Sequence, residues 1–213
     1  MKTILYIVRH ANSLANQEKI FAGHSDVALS ELGFTQANYV TDYFKDKLVD
    51  VIYSSDLIRT ISTIKGVADQ KGLEIITQSN LREIYAGKWE LKPFSQLEEE
   101  YGEGFLTWKT GLYNAQPDGG ESVEEMANRV FNAVKEIAEK EKGKTIVIST
   151  HSTPLRAIIS KIKYGTFEKI GEITRLSNAS ITKISYENNK FEIIDYCITQ
   201  HLNGAISVLP QNI

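Results

Sequence analysis

Two short stretches of this chain are apolar almost without interruption, and each ends at a histidine. Ile4-Leu5-Tyr6-Ile7-Val8 runs into Arg9-His10, and Thr145-Ile146-Val147-Ile148-Ser149-Thr150 runs into His151. Continuous runs of this length predict strands covered on both faces, as in a parallel sheet. Open α/β sheets gather ligands outside the carboxyl ends of their strands, so Arg9, His10 and His151 fall where a site is expected. Val51-Ile52-Tyr53-Ser54 and the segment from Glu74 to Gln78 predict two further strands.

Between these runs the apolar positions recur at helical spacing. Ser30 can cap a helix through Thr35, Ala37, Val40 and Phe44, and Asp56 or Ser55 can cap one carrying Leu57, Ile61, Ile64 and Val67-Ala68. Arg59 lies in the first turn of that second helix, where an anion also meets unpaired backbone N–H groups and the positive end of the dipole. Ser122 and Glu125 form a capping box ahead of Val123, Met126, Val130, Val134 and Ile137. Ser152 or Thr153 can cap a helix that takes Pro154 early and carries Leu155, Ile158, Ile159 and Ile162; Arg156 on it reads as structural.

Elsewhere the pattern is less regular. The polar segment 12–25 reads as a loop over the sheet edge, with His24 exposed and Asn16 open to a turn reading. Pro93 before Ser95-Gln96-Leu97-Glu98-Glu99-Glu100 predicts a short acidic helix, and Phe105, Trp108 and Tyr113 a subsidiary core. Gly119-Gly120-Glu121-Ser122 reads as a turn that also reaches the rim of a pocket. Ile181 to Tyr186 and Phe191 to Tyr196 alternate around Glu187-Asn188-Asn189-Lys190, a hairpin that adds an antiparallel part. The tail from Leu202 to Ile213 is expected to pack over the domain or across the pocket. Strands alternating with amphipathic helices predict an α/β fold on a mostly parallel sheet, with residues 1–213 as one domain because no linker or repeat divides them.

Composition narrows the functional classes. A net charge of -3 argues against nucleic acid or an anionic membrane as partner, since both call for a basic face. The single Cys197 cannot close an internal disulfide or build a cysteine zinc site, and no metal-binding, Walker-type or dinucleotide glycine spacing is present. The apolar start is short and ends in Arg9-His10, unlike a secretory signal, and no run is long enough to span a bilayer. A cytoplasmic address is the expectation.

Five segments in order resemble the histidine phosphatase superfamily, which includes the cofactor-dependent phosphoglycerate mutases. Arg9-His10-Ala11 with Asn16 is similar to its Arg-His-Gly signature, and Ser54-Ser55-Asp56-Leu57-Ile58-Arg59-Thr60 to its Ser-Ser-Asp-Leu-x-Arg-Ala stretch. Leu81-Arg82-Glu83-Ile84 with Gly87-Lys88-Trp89-Glu90 resembles its acid-bearing segment, Gly119-Gly120-Glu121-Ser122 its Gly-Glu-Ser turn, and His151 its second histidine. The resemblance implies a three-layer α/β/α, phosphoglycerate mutase-like fold acting on a small phosphorylated metabolite as a monomer or homodimer. It implies His10, Glu83 and His151 as catalytic and Arg9, Ser13, Asn16, Gly23, Arg59 and Ser152 as substrate-binding.

Under that resemblance His10 attacks phosphorus, the arginines and His151 hold the phosphoryl oxygens, and Glu83 serves as general acid and base. Burial of a carboxyl without a cationic partner raises its pKa, as an acid at neutral pH requires; the competing reading pairs Glu83 with Arg82 or Lys88. No metal is required, and 2,3-bisphosphoglycerate enters only for a mutase. Two departures stand out: Ala11 replaces a glycine and threatens to crowd the phosphate, and Ser152 replaces another. The stretch from Glu83 to Gly119 lacks the basic insertion of the glycolytic mutases. That ranks phosphomonoester hydrolysis first, a mutase second, and a non-catalytic phospho-ligand sensor third.

Overall fold

The computed structural model describes residues 1–207. Among them, one sheet runs in the order β3-β2-β4-β1-β5-β6. Its strands are β1 (Thr3–Arg9), β2 (Val51–Ser54), β3 (Ile75–Thr77), β4 (Thr145–Thr150), β5 (Ile181–Glu187) and β6 (Lys190–Ile198). The first four are parallel to one another, whereas β5 is antiparallel to β1 and β6 to β5. The alternation of side chains in β1 sorts it between two cores. Leu5 and Ile7 join the layer of α5 (Val123–Lys140) and α6 (Ser152–Tyr164), while Tyr6 and Val8 join that of α2 (Glu31–Phe44) and α3 (Ile58–Lys71). The chain therefore has the expected three-layer α/β/α architecture with an antiparallel C-terminal hairpin.

Two helix starts depart from expectation where a distant residue engages the cap side chain or the first-turn backbone. Ser30 and the Ser122–Glu125 box cap α2 and α5 as predicted. Neither Asp56 nor Ser55 caps α3. Asp56 pairs with Arg82 through two bonds of 2.6 Å, and Asp26 Oδ1 instead accepts the Ile58 N–H at 2.7 Å. Likewise neither Ser152 nor Thr153 caps α6, whose N-cap is His151; the Glu83 carboxylate accepts the Thr153 N–H at 3.3 Å. The segment 12–25 is not all loop, because Ser13 and Asn16 close a capping box on α1 (Leu14–Glu18).

The acidic helix is longer than expected. It extends as α4 over Phe94–Thr110, bent at Gly102, whose φ of 42° and ψ of -109° break the helical path. Phe105 and Trp108 are buried in the main core, not in a separate one. In the tail, Leu202 is fully buried and the Ser207 hydroxyl donates to Asn178 Oδ1 at 2.7 Å; residues 208–213 lie outside the described set. No helix among the described residues is long and apolar enough to cross a membrane.

Candidate active site

Register brings the two histidines together. In the parallel pair β1–β4, Arg9 lies opposite Thr150, so the next residues, His10 and His151, emerge side by side. The His10 N–H donates to Thr150 O at 2.9 Å, and the imidazole centroids stand 5.2 Å apart. Strand β2 pairs with the other edge of β4 and leads, through Ser55, into α3, which delivers Arg59 to the same point. The His10 carbonyl is clamped by Asn178 Nδ2 at 3.0 Å and the Ala179 N–H at 3.2 Å. Ala11 does not crowd the site: its φ is not positive, it is fully buried in the apolar layer of α2 and α3, and its N–H donates to Thr63 Oγ1.

Proton positions follow from partners. His10 Nδ1 lies 2.7 Å from the Ala11 carbonyl, which can only accept, so Nδ1 carries the proton and Nε2 the lone pair. Burial, then the charges of Arg59 and Arg9, push His10 well below its ordinary value, and it is neutral at pH 7. His151 is held down by burial, Arg59 and His10. Its Nδ1 accepts from Arg59 Nε at 3.3 Å, leaving Nε2–H to donate to Ser55 Oγ at 2.9 Å. Both its nitrogens thus meet protein groups.

Arg59 is 1% exposed and pairs with no carboxylate among the described residues; its Nη1 and Nη2 donate to the carbonyls of Ser25 (2.8 Å) and Gly23 (2.7 Å). Burial brings it to about 10, still charged at neutrality. Arg9, 2% exposed, is brought to about 9 by burial and by Arg175. Its Nη1 donates to Leu176 O, while its buried Nε has no partner among the described residues. An unpaired donor on a buried guanidinium is an invitation to an anion.

Glu83 pairs with neither Arg82 nor Lys88, which bind Asp56 and Asp118. Its Oε1 accepts the Ile84 N–H at 3.0 Å and its Oε2 that of Thr153. The expected freedom from cations fails, however: the Glu83 charge bears on Arg9, Arg59, Arg156 and Arg175, and Asp26 and Glu90 bear on Arg59 as well. Its backbone carbonyl receives Arg129 Nη2 at 3.1 Å and His24 Nε2 at 2.9 Å. His24 is accordingly half-buried beneath Tyr85, not an exposed loop residue. Glu121 binds Arg129 and stands in a neighbouring groove, away from the site rim.

These side chains surround a cavity of about 60 Å³. Arg9, His10, Ser13, Asn16, Gly23, Arg59, Glu83 and Ser152 all line it, and His151 lies behind them. Ser13 and Asn16 are also tied to each other, and Asn16 Oδ1 accepts from Asn178 Nδ2 at 2.9 Å. Gly23 contributes its carbonyl to Arg59 and has a φ of 49°; a Cβ there would meet Glu90 Oε1 at 2.5 Å. Missed from sequence were Arg175 and Asn178, which reach the site from irregular chain with no spacing to flag them. Arg156 also lines the cavity, although it holds the carbonyls of Ile170 and Ile173 as a structural residue would. Its i,i+4 relation to Ser152 on α6 is the signal that marks the shared face.

Comparison with known proteins places the chain in a family. The chain is 32% identical over 198 residues to phosphoserine phosphatase 1 of Hydrogenobacter thermophilus, covering 93% of each. It is 30% identical over 185 residues to a probable phosphoglycerate mutase, GpmB, of Yersinia pestis, covering 87% of this chain and 86% of that one. The solved structure of Bacillus stearothermophilus YhfR shares the fold, with a TM-score of 0.90 at 24% identity over 94% of this chain and 99% of that one. A family model for the histidine phosphatase superfamily (branch 1) matches residues 5–199, and the chain belongs to that superfamily.

Proposed function

We propose that the protein is a phosphatase that hydrolyses a small phosphomonoester through a phosphohistidine on His10. The observation that carries this reading is the fixed His10 tautomer, with Nε2 as lone-pair nitrogen, in a pocket also lined by Arg9, Arg59 and Glu83. In the first step Nε2 attacks phosphorus and the ester P–O bond breaks. Glu83 gives its proton to the departing alkoxide. In the second, the Glu83 carboxylate takes a proton from water as its oxygen attacks phosphorus. The P–N bond then breaks, releasing inorganic phosphate and neutral His10.

Arg9 and Arg59 act on the equatorial oxygens, where a planar fork suits two parallel donors. His151 acts through Arg59: its Nδ1 accepts from Arg59 Nε and so orients that guanidinium toward the phosphoryl oxygens. Ser13, Asn16, Gly23 and Ser152 shape the floor and entrance. The chain's own guanidinium groups supply the charge neutralisation in this scheme, and 2,3-bisphosphoglycerate enters only for a mutase. Hydrolysis is favoured by the 32% identity to a protein named as a phosphoserine phosphatase.

Protein incubated with a panel of radiolabelled phosphomonoesters and then quenched in alkaline denaturant, which preserves a P–N bond, tests the scheme. Expected are inorganic phosphate release and an acid-labile label on the wild type, with neither in His10→Ala. Isomerisation of 3-phosphoglycerate in the presence of 2,3-bisphosphoglycerate, faster than phosphate release, would put the mutase first. Label on neither protein would sink the covalent step.

A further inference from the structure

Arg59 is a long side chain whose direction is set at its tip. Its Nε donates to His151 Nδ1, and its Nη1 and Nη2 donate to two carbonyls of one loop, those of Ser25 and Gly23. Where that loop stands therefore decides where the guanidinium presents its remaining N–H groups to an oxyanion. On either side the chain is tied by groups unrelated to Arg59. The Phe21 N–H donates to Lys92 O at 2.9 Å and its carbonyl accepts from Leu91 at 2.8 Å, while Asp26 Oδ1 accepts the Ile58 N–H. Between those ties, two side chains join the loop to the segment that begins at Glu83. One is His24, whose Nε2 meets the Glu83 carbonyl at 2.9 Å. The other is Glu90.

The Glu90 carboxylate takes three bonds. Its Oε1 accepts the His24 N–H at 2.7 Å and the Ala86 N–H at 3.2 Å, and its Oε2 accepts from the Ser25 hydroxyl at 2.5 Å. The approach is close enough that a Cβ on Gly23 would meet Oε1, the Glu90 Cδ and the Ala86 methyl, all within 2.9 Å. Two of the three donors belong to the loop that carries the Arg59 carbonyls; the third follows Glu83. We propose that Glu90 is a positioning residue for phosphate capture: it fixes the loop of Gly23 to Ser25 against the Glu83 segment, and that loop aims Arg59. The assignment rests on the phosphatase reading and adds a residue to its phosphate-binding apparatus. A plain counter-charge to the buried guanidinium is a different role, because it needs the charge of Glu90 and not its reach.

Three variants separate the two roles. Glu90→Gln keeps the reach: its carbonyl oxygen accepts both N–H groups and its amide donates to the Ser25 hydroxyl oxygen. Glu90→Asp keeps the charge but is one methylene short, and Glu90→Ala keeps neither. On p-nitrophenyl phosphate, whose leaving group needs no proton, Glu90→Ala and Glu90→Asp are expected to lose roughly ten- to a hundred-fold in kcat/KM. Glu90→Gln should recover most of that loss. Orthovanadate, a phosphate mimic whose binding is read by thermal shift and needs no turnover, should bind the alanine variant correspondingly less tightly. In an Arg59→Ala background Glu90→Ala should cost no further orthovanadate affinity, since a residue that acts through Arg59 is not additive with it. Recovery by aspartate and not by glutamine, or an undiminished cost of Glu90→Ala in the absence of Arg59, would overturn the assignment. Should Glu90→Ala fail to fold, Ser25→Ala carries the same cycle, since it removes the hydroxyl bond and leaves the carbonyl that holds Arg59. Wild type that binds orthovanadate yet hydrolyses no phosphomonoester would instead overturn the phosphatase reading, with the orthovanadate cycle still deciding the role of Glu90.

Discussion

His10 has its tautomer set by the carbonyl of the very next residue, so its nucleophilic nitrogen is specified locally. Glu83 is bound differently: its two oxygens each take one backbone N–H, from Ile84 and from Thr153. Glutamine has only one such acceptor, so Glu83→Gln removes the transferable proton and leaves one N–H unpaired. The expected loss is about 10²- to 10⁴-fold in kcat on alkyl phosphates. For an aryl phosphate, whose leaving group needs no proton, formation of the phosphoenzyme should be far less affected. Label should then accumulate on His10, a result readable by quench-flow. At this scale His10, Arg59 and Glu83 were legible because each follows a predicted strand. Arg175 was not, since its approach to Arg9 depends on where irregular chain returns after α6.

Helix α2 reaches the nucleophile through a contact that only a glycine allows. A Cβ on Gly33 would stand 1.9 Å from the Asn12 carbonyl oxygen, two residues beyond His10, and backbone cannot yield as a flexible side chain does. Gly33→Ala is expected to cost about 1–3 kcal/mol of stability and to lower kcat by displacing the His10 loop. Gly104, in α4, has open space at the same position, so Gly104→Ala should be neutral or stabilising by up to about 1 kcal/mol. Urea midpoints and turnover measured on both proteins check the contrast. Element identity was readable from apolar period, whereas two of the predicted caps were displaced by long-range partners. Asp56 and the first turn of α6 met Arg82 and Glu83, partners 26 and 70 residues away, which no local pattern reveals.

Across the whole molecule, all four histidines are pushed below their ordinary value of 6.5, with burial the leading cause for each. The unfolded chain therefore binds more protons than the native one as pH drops through 6.5. Stability that is complete above that value is lost progressively below it, by at most about 1.4 kcal/mol per pH unit for each fully buried imidazole. His24 and His201, being half-buried, contribute less. Melting temperatures between pH 7.5 and 5.5 should fall with acidification, and His10→Asn should flatten that slope. A slope indifferent to the substitution would mean that His10 is charged in the native state.

The position of β1 bears on how the molecule is made. Both of its neighbours in the sheet, β4 and β5, begin at Thr145 or later, so β1 leaves the ribosome well before either strand that pairs with it. Until they follow, Ile4 to Val8 is an apolar segment with two open edges, the kind of sequence that associates with other nascent chains or is held by a chaperone. Fragments ending ahead of β4 inherit that exposed strand without the means to cover it.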